Sequence, residues 1–101
     1  MRWGTFVIPV ALYACTSAEN RFVVDDAQTH VVAATLVLCG SETPLQRNGK
    51  RLTLSKPITC EGSGYIRLRY TSGDDHVCPV GYVTPGMEQD FTYRTTETGC
   101  E

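Results

Sequence analysis

Hydrophobic and polar positions alternate with a period of two along much of the chain. In Tyr65-Ile66-Arg67-Leu68-Arg69-Tyr70, Ile66, Leu68 and Tyr70 fall on one side and Tyr65, Arg67 and Arg69 on the other, as in a strand with one face buried. Phe91 to Thr96 alternates in the same way, and Leu52 and Leu54 interleave with Arg51, Thr53 and Ser55. The segment Thr29–Cys39 is different. Val31, Val32, Ala33, Ala34, Leu36, Val37 and Leu38 run with little alternation, which predicts a strand buried on both faces. Residues 19–28 are polar and mixed apart from Arg21-Phe22-Val23-Val24, and read as a frayed lead-in or an edge strand.

The breaks between these runs carry turn chemistry. Asn48-Gly49 lies between two short runs and suits a tight two-residue hairpin, because both residues tolerate positive φ. Lys56-Pro57 ends ladder donation, since proline has no N–H. Gly62-Ser63-Gly64 reads as a loop, Ser72-Gly73-Asp74-Asp75 and Pro85-Gly86 as turns, and Val77–Val83 as a short strand pair or a bulged strand broken by Pro79 and Gly81. Neither a repeat nor a linker interrupts the pattern. About six short strands with frequent turns predict an all-β domain, a small antiparallel β-sandwich or barrel.

The chain has 101 residues, which allows one domain. Met1-Arg2 followed by the uncharged run Thr5–Ala14, with small residues at Thr16-Ser17-Ala18, has the pattern of a secretory signal peptide. Residues 1–18 are therefore expected to be removed, leaving a single β domain over residues 19–101. Loss of Arg2 leaves eight basic against eleven acidic side chains, a net charge of −3. That balance argues against duplex DNA as a partner, and no basic amphipathic stretch suggests a membrane surface. Of five cysteines, Cys15 lies in the proposed signal, and Cys39, Cys60, Cys78 and Cys100 form an even set. Two disulfides in an oxidising, extracellular location are expected to staple a domain this small. Four cysteines allow three pairings, and the spacing does not choose among them.

Candidate chemistry is sparse. His30 and His76 with Asp25, Asp26, Asp74 and Asp75 match no compact ligand spacing, and turn aspartates ordinarily bond the backbone. Glu61, Arg67, Arg69 and His76 are the residue types that a secreted ribonuclease or other small hydrolase would need, without a supporting motif. No Gly-x-Ser-x-Gly elbow occurs. No catalytic residue, metal or cofactor is expected. Arg47, Lys50 and Arg51 give the hairpin a basic tip, which fits a solubilising edge guard. With Tyr65, Arg67 and Arg69 it also fits an aromatic–guanidinium surface for a partner protein. Leu12-Tyr13-Ala14-Cys15 resembles a lipobox, so a competing expectation is a bacterial envelope lipoprotein, an inhibitor or immunity-type binder, lipidated at Cys15.

From Cys39 to the C-terminus the chain resembles the MAX, or ToxB-like, group of fungal small secreted effectors. The likeness rests on Cys60-Glu61-Gly62-Ser63-Gly64-Tyr65-Ile66-Arg67-Leu68-Arg69, a cysteine and a glycine-rich turn before an alternating strand, and on Cys100 closing the chain. It implies two three-stranded antiparallel sheets packed as a sandwich, with Cys39 paired to Cys78 and Cys60 to Cys100. It further implies a virulence-type, non-enzymatic effector that binds a host protein, outside or inside host cells, as a monomer or weak dimer. The expected contact surface is Arg47, Lys50, Arg51, Tyr65, Arg67 and Arg69.

Overall fold

The structure, a computed structural model, describes residues 19–101. The expected signal peptide of residues 1–18, with Cys15, lies outside them. The described residues form nine strands and no helix: β1 (Glu19–Asp25), β2 (Val31–Leu38), β3 (Ser41–Pro44), β4 (Gln46–Asn48), β5 (Arg51–Pro57), β6 (Gly62–Tyr70), β7 (Asp75–Val83), β8 (Asp90–Thr96) and β9 (Gly99–Cys100). They make two packed sheets, in the orders β4-β5-β1-β8-β9 and β3-β2-β6-β7. The all-β, disulfide-stapled sandwich read from the sequence is the architecture observed. Its strands exceed six because β3, β4 and β9 are fragments of two to four residues. The sheets accordingly hold five and four strands rather than three each.

The core lies between the sheets. Phe22 and Val24 of β1 and Leu52 of β5 face Ala34, Leu36 and Leu38 of β2, Ile66, Leu68 and Tyr70 of β6, and Cys78 and Val80 of β7, all of them buried. Residues 19–25 are thus no lead-in. β1 is a central strand, antiparallel to β5 and parallel to β8, and Phe22 stacks on Phe91 with ring centroids 5.1 Å apart. Its apolar content is short, but both of its neighbours in the sheet come from far along the chain, a relation that periodicity does not reveal.

β2 also departs from expectation. Val31, Ala34, Leu36 and Leu38 are buried, while Val32 and Ala33 are exposed and Val37 is half-buried. A register shift between Val31 and Ala33 rephases the strand, as a bulge does. Only one face of β2 is covered, and its apolar residues on the other face meet solvent. Gly62-Ser63-Gly64 is part of β6 rather than a loop. A Cβ on Gly64 would collide with the Val37 carbonyl oxygen and lie 2.8 Å from Leu38 Cδ1, so glycine permits the close approach of β2 and β6. The hairpin turn is displaced by one residue. Asn48 pairs with Arg51, and Gly49, at φ 67°, leads the two-residue loop Gly49-Lys50. One glycine at the first loop position meets the demand for positive φ. Val77–Val83 is one strand with β7's remainder, irregular opposite Gly62–Gly64.

The disulfides join Cys39 to Cys60 and Cys78 to Cys100, not Cys39 to Cys78 and Cys60 to Cys100. Cys78 stands opposite Ile66, which stands opposite Leu36, so two interstrand gaps, about 10 Å, separate β7 from β2. Cys39 lies beyond the far end of β2. That exceeds the usual limit of about 7 Å between bridged Cα atoms. Cys39 turns back beside the β5–β6 connection that carries Cys60, with the Cα atoms 5.5 Å apart. Cys78, on the edge strand of one sheet, meets Cys100, on the edge strand of the other, at 5.6 Å.

Candidate functional site: the outer face of the four-stranded sheet

The register fixes what each sheet shows to solvent. Cross-strand rows on the outer side of the five-stranded sheet read Ser55–Arg21–Asp90, Thr53–Val23–Thr92 and Arg51–Asp25–Arg94, a polar surface in which the one apolar residue, Val23, is buried. Those of the four-stranded sheet read Glu42–Val37–Tyr65–Pro79, Pro44–Thr35–Arg67–Val77 and Ala33–Arg69–Asp75. Valines, prolines and a tyrosine surround two arginines. Among the described residues five large hydrophobic side chains are exposed, and four of them, Val32, Tyr65, Val77 and Tyr82, lie on β2, β6 and β7. That clustering distinguishes this face, because scattered exposed hydrophobes are ordinary whereas contiguous ones mark contact surfaces.

The two arginines are held in place. Arg67 Nη2 donates to Glu42 Oε1 at 2.9 Å and Arg69 Nε to Asp75 Oδ1 at 2.9 Å. The Glu42 hydrogen bond, with its charge, raises the Arg67 pKa. Both pairs are solvent-exposed, so they orient the guanidinium groups and add little to stability. Val32, Ala33, Thr35, Arg67, Arg69 and Asp75 line an open depression of about 280 Å³, located where the β2 strand carries its register shift.

Arg47, Lys50 and Arg51 do not join this surface. They belong to the β4–β5 hairpin of the other sheet. Arg47 is moreover committed inward: its Nη2 lies 3.0 Å from Asp26 Oδ2 and donates to the Val31 carbonyl at 2.6 Å, while Nη1 donates to the Gly49 carbonyl. Asp26 is fully buried and accepts from the His30 and Val31 backbone N–H groups and from Thr95 Oγ1. Burial opposes its charge, but the Val31 N–H, Arg47, the His30 N–H and Thr95 outweigh it and hold the carboxyl below its ordinary value of 3.8. The aspartate does serve the backbone, as its turn position suggested. Its partners on β4 and β8 were not foreseeable from local sequence.

Glu61, Arg67, Arg69 and His76 do not converge. Glu61 precedes β6 beside Tyr82, 3.4 Å away, the arginines point outward, and His76 stands opposite buried Leu68. His30 and His76 instead flank Tyr70, at centroid distances of 6.1 and 4.7 Å. The Tyr70 hydroxyl points between the carbonyls of Gly99 and Thr96, and burial, then the Asp26 charge, raises its pKa.

The sheet edges are short or obstructed. β3, β4 and β9 have two to four residues. β7 is longer, but Pro79 has no N–H, its carbonyl accepts from the Tyr93 hydroxyl at 3.0 Å, and Cys100 Sγ lies 3.8 Å from the Val77 carbonyl oxygen. Edges managed in this way resist strand addition. No protein-family model and no curated protein sequence matches the chain.

Proposed function

We propose that the protein is an exported, non-enzymatic binding domain of the virulence-effector kind, which acts by holding a host protein against the outer face of β2, β6 and β7. The observation that carries this reading is the contrast between the two outer surfaces: one polar, the other apolar around Tyr65, Arg67 and Arg69. Tyrosine and arginine within a partly apolar surround are the residues that dominate binding energy at protein interfaces. Two disulfides in so small a domain are compatible with an extracellular setting. The blocked edges favour side-chain docking on the face over backbone pairing at an edge.

The test is a pair of photo-crosslinking variants, with a benzophenone amino acid at Tyr65 or at Thr53 on the opposite sheet. The expected result is one discrete protein adduct from position 65 and none from position 53 in host material. Equal labelling from both positions, or none from 65, would overturn the reading.

A further inference from the structure

The tip of the β4–β5 hairpin carries two groups that can react with each other. The chain has two asparagines, Asn20 and Asn48, and their surroundings are opposite. Asn48 is exposed, and its side-chain amide makes no hydrogen bond among the described residues. The next residue is Gly49, whose N–H lies outside both strands and donates to no backbone acceptor among the described residues. Nothing stands within 4 Å of the place a Gly49 Cβ would occupy, and a nitrogen with no side chain beside it can be approached closely. Lys50 and Arg51 follow, exposed and outside the ion pairs of the described residues. Their charge favours the anion formed when the Gly49 nitrogen gives up its proton. Asn20 differs at each point. It is fully buried, its Oδ1 accepts from the Gln89 N–H at 2.9 Å, and the N–H of the following Arg21 donates to the Gln89 carbonyl at 3.1 Å.

We propose that Asn48 is a self-modification site, converting through a cyclic imide to aspartate and isoaspartate and thereby releasing Arg47 from the hairpin. Solvent base takes the Gly49 amide proton, and the nitrogen attacks Asn48 Cγ. A bond forms between them, the Cγ–Nδ2 bond breaks, and ammonia leaves with a proton returned by solvent. Water then opens the ring. Breaking the Cγ–N bond gives aspartate with the original main chain, and breaking the bond between the Asn48 carbonyl carbon and the nitrogen gives isoaspartate, with one more carbon in the main chain. Water is the only co-reactant. Ring closure needs the Asn48–Gly49 peptide plane to turn, and that motion is local because β4 is a three-residue edge strand. Arg47 Nη1 holds the Gly49 carbonyl at 3.0 Å while Nη2 holds Asp26. A longer main chain at position 48 moves the Gly49 carbonyl out of register, so the modification acts on the buried corner at Asp26.

The test incubates the disulfide-intact domain in mildly alkaline water enriched in oxygen-18, beside the free peptide acetyl-Gln-Arg-Asn-Gly-Lys-Arg-Leu-amide, with peptic fragments read by mass spectrometry. Asn48 is expected to take up one solvent oxygen and to convert about tenfold or more faster than Asn20, since it needs only local opening where Asn20 needs the sheet to come apart. Asn48→Gln, whose longer arm must close a larger ring, should stay unconverted at that position. In NMR spectra of the converted domain the Arg47 side-chain signal and the His30 and Val31 amides should shift, because all three depend on contacts with Asp26. Equal rates at the two asparagines, loss of the amide without oxygen-18, or an intact Asn48 after about ten times the interval that converts the free peptide would overturn the site. Unmoved Arg47, His30 and Val31 signals in the converted domain would overturn the release of Arg47. The crosslinking result at Tyr65 bears on neither.

Discussion

At the scale of single residues, Asp26 and Arg47 show how one buried charge organises a corner of the sandwich. The carboxylate ties the β1–β2 connection to β4 and β8 through Arg47 and Thr95. Removing its charge leaves Arg47 facing a neutral acceptor. Asp26→Asn is expected to cost about 2–3 kcal/mol in denaturant unfolding, less than a fully buried pair because Arg47 is partly exposed. Arg47→Ala should destabilise in the same assay, whereas Lys50→Ala and Arg51→Ala should not. The acid dependence follows from the sign of the shift. A carboxyl whose folded pKa is depressed gives its full stabilisation above its ordinary value of 3.8 and loses it as pH falls through the lower folded value. Stability should therefore drop below about pH 4, and the drop should be smaller in Asp26→Asn. An unchanged acid limb would mean that other carboxylates dominate it.

At the scale of elements, alternation was a good guide where one strand face is buried and a poor one where a bulge intervenes. β6 and β8 have the faces their patterns predicted. β2 did not, because its apolar residues occupy both sides while only one side has a sheet to cover it. What looked like surplus core is the surface proposed to bind. The glycines at the start of β6 misled for a related reason. Their composition suggests a loop, but Gly64 is glycine because β2 passes too close for a side chain. Gly64→Ala should destabilise by about 1–3 kcal/mol through overpacking, and its largest amide shifts should fall at Val37 and Leu38. Shifts confined to residue 64 and its chain neighbours would count against that close approach. Of the six expected contact residues, Tyr65, Arg67 and Arg69 share one face because strand alternation determines where they point. Grouping them with the hairpin tip required knowing which sheet each strand joins, and that information is tertiary.

At the scale of the whole molecule, the disulfides link the sheets where the hydrogen-bond ladders do not. Cys78–Cys100 fastens β7 of one sheet to β9 of the other, and Cys39–Cys60 ties the β2–β3 turn to the β5–β6 connection. Their sequence separations are 21 and 22 residues, each worth about 3 kcal/mol in the chain-entropy model. Non-reducing peptide mapping should recover 39–60 and 78–100 linked fragments. A 39–78 fragment would contradict the strand order itself, since β6 lies between those cysteines. The even cysteine count was legible in the sequence, but the pairing depended on topology. The parallel pairing of β1 with β8 bears on how the chain comes to be folded. Its contacts span nearly the full domain, as the 69-residue separation of Asn20 and Gln89 illustrates. Such long closures make folding slow relative to helical domains of the same size. Until β8 has been synthesised, β1 lacks one of its two neighbours and the central sheet stays incomplete. A nascent chain of this design stays short of its final shape until its last strands have emerged, and only then can the Cys78–Cys100 disulfide close across the two sheets.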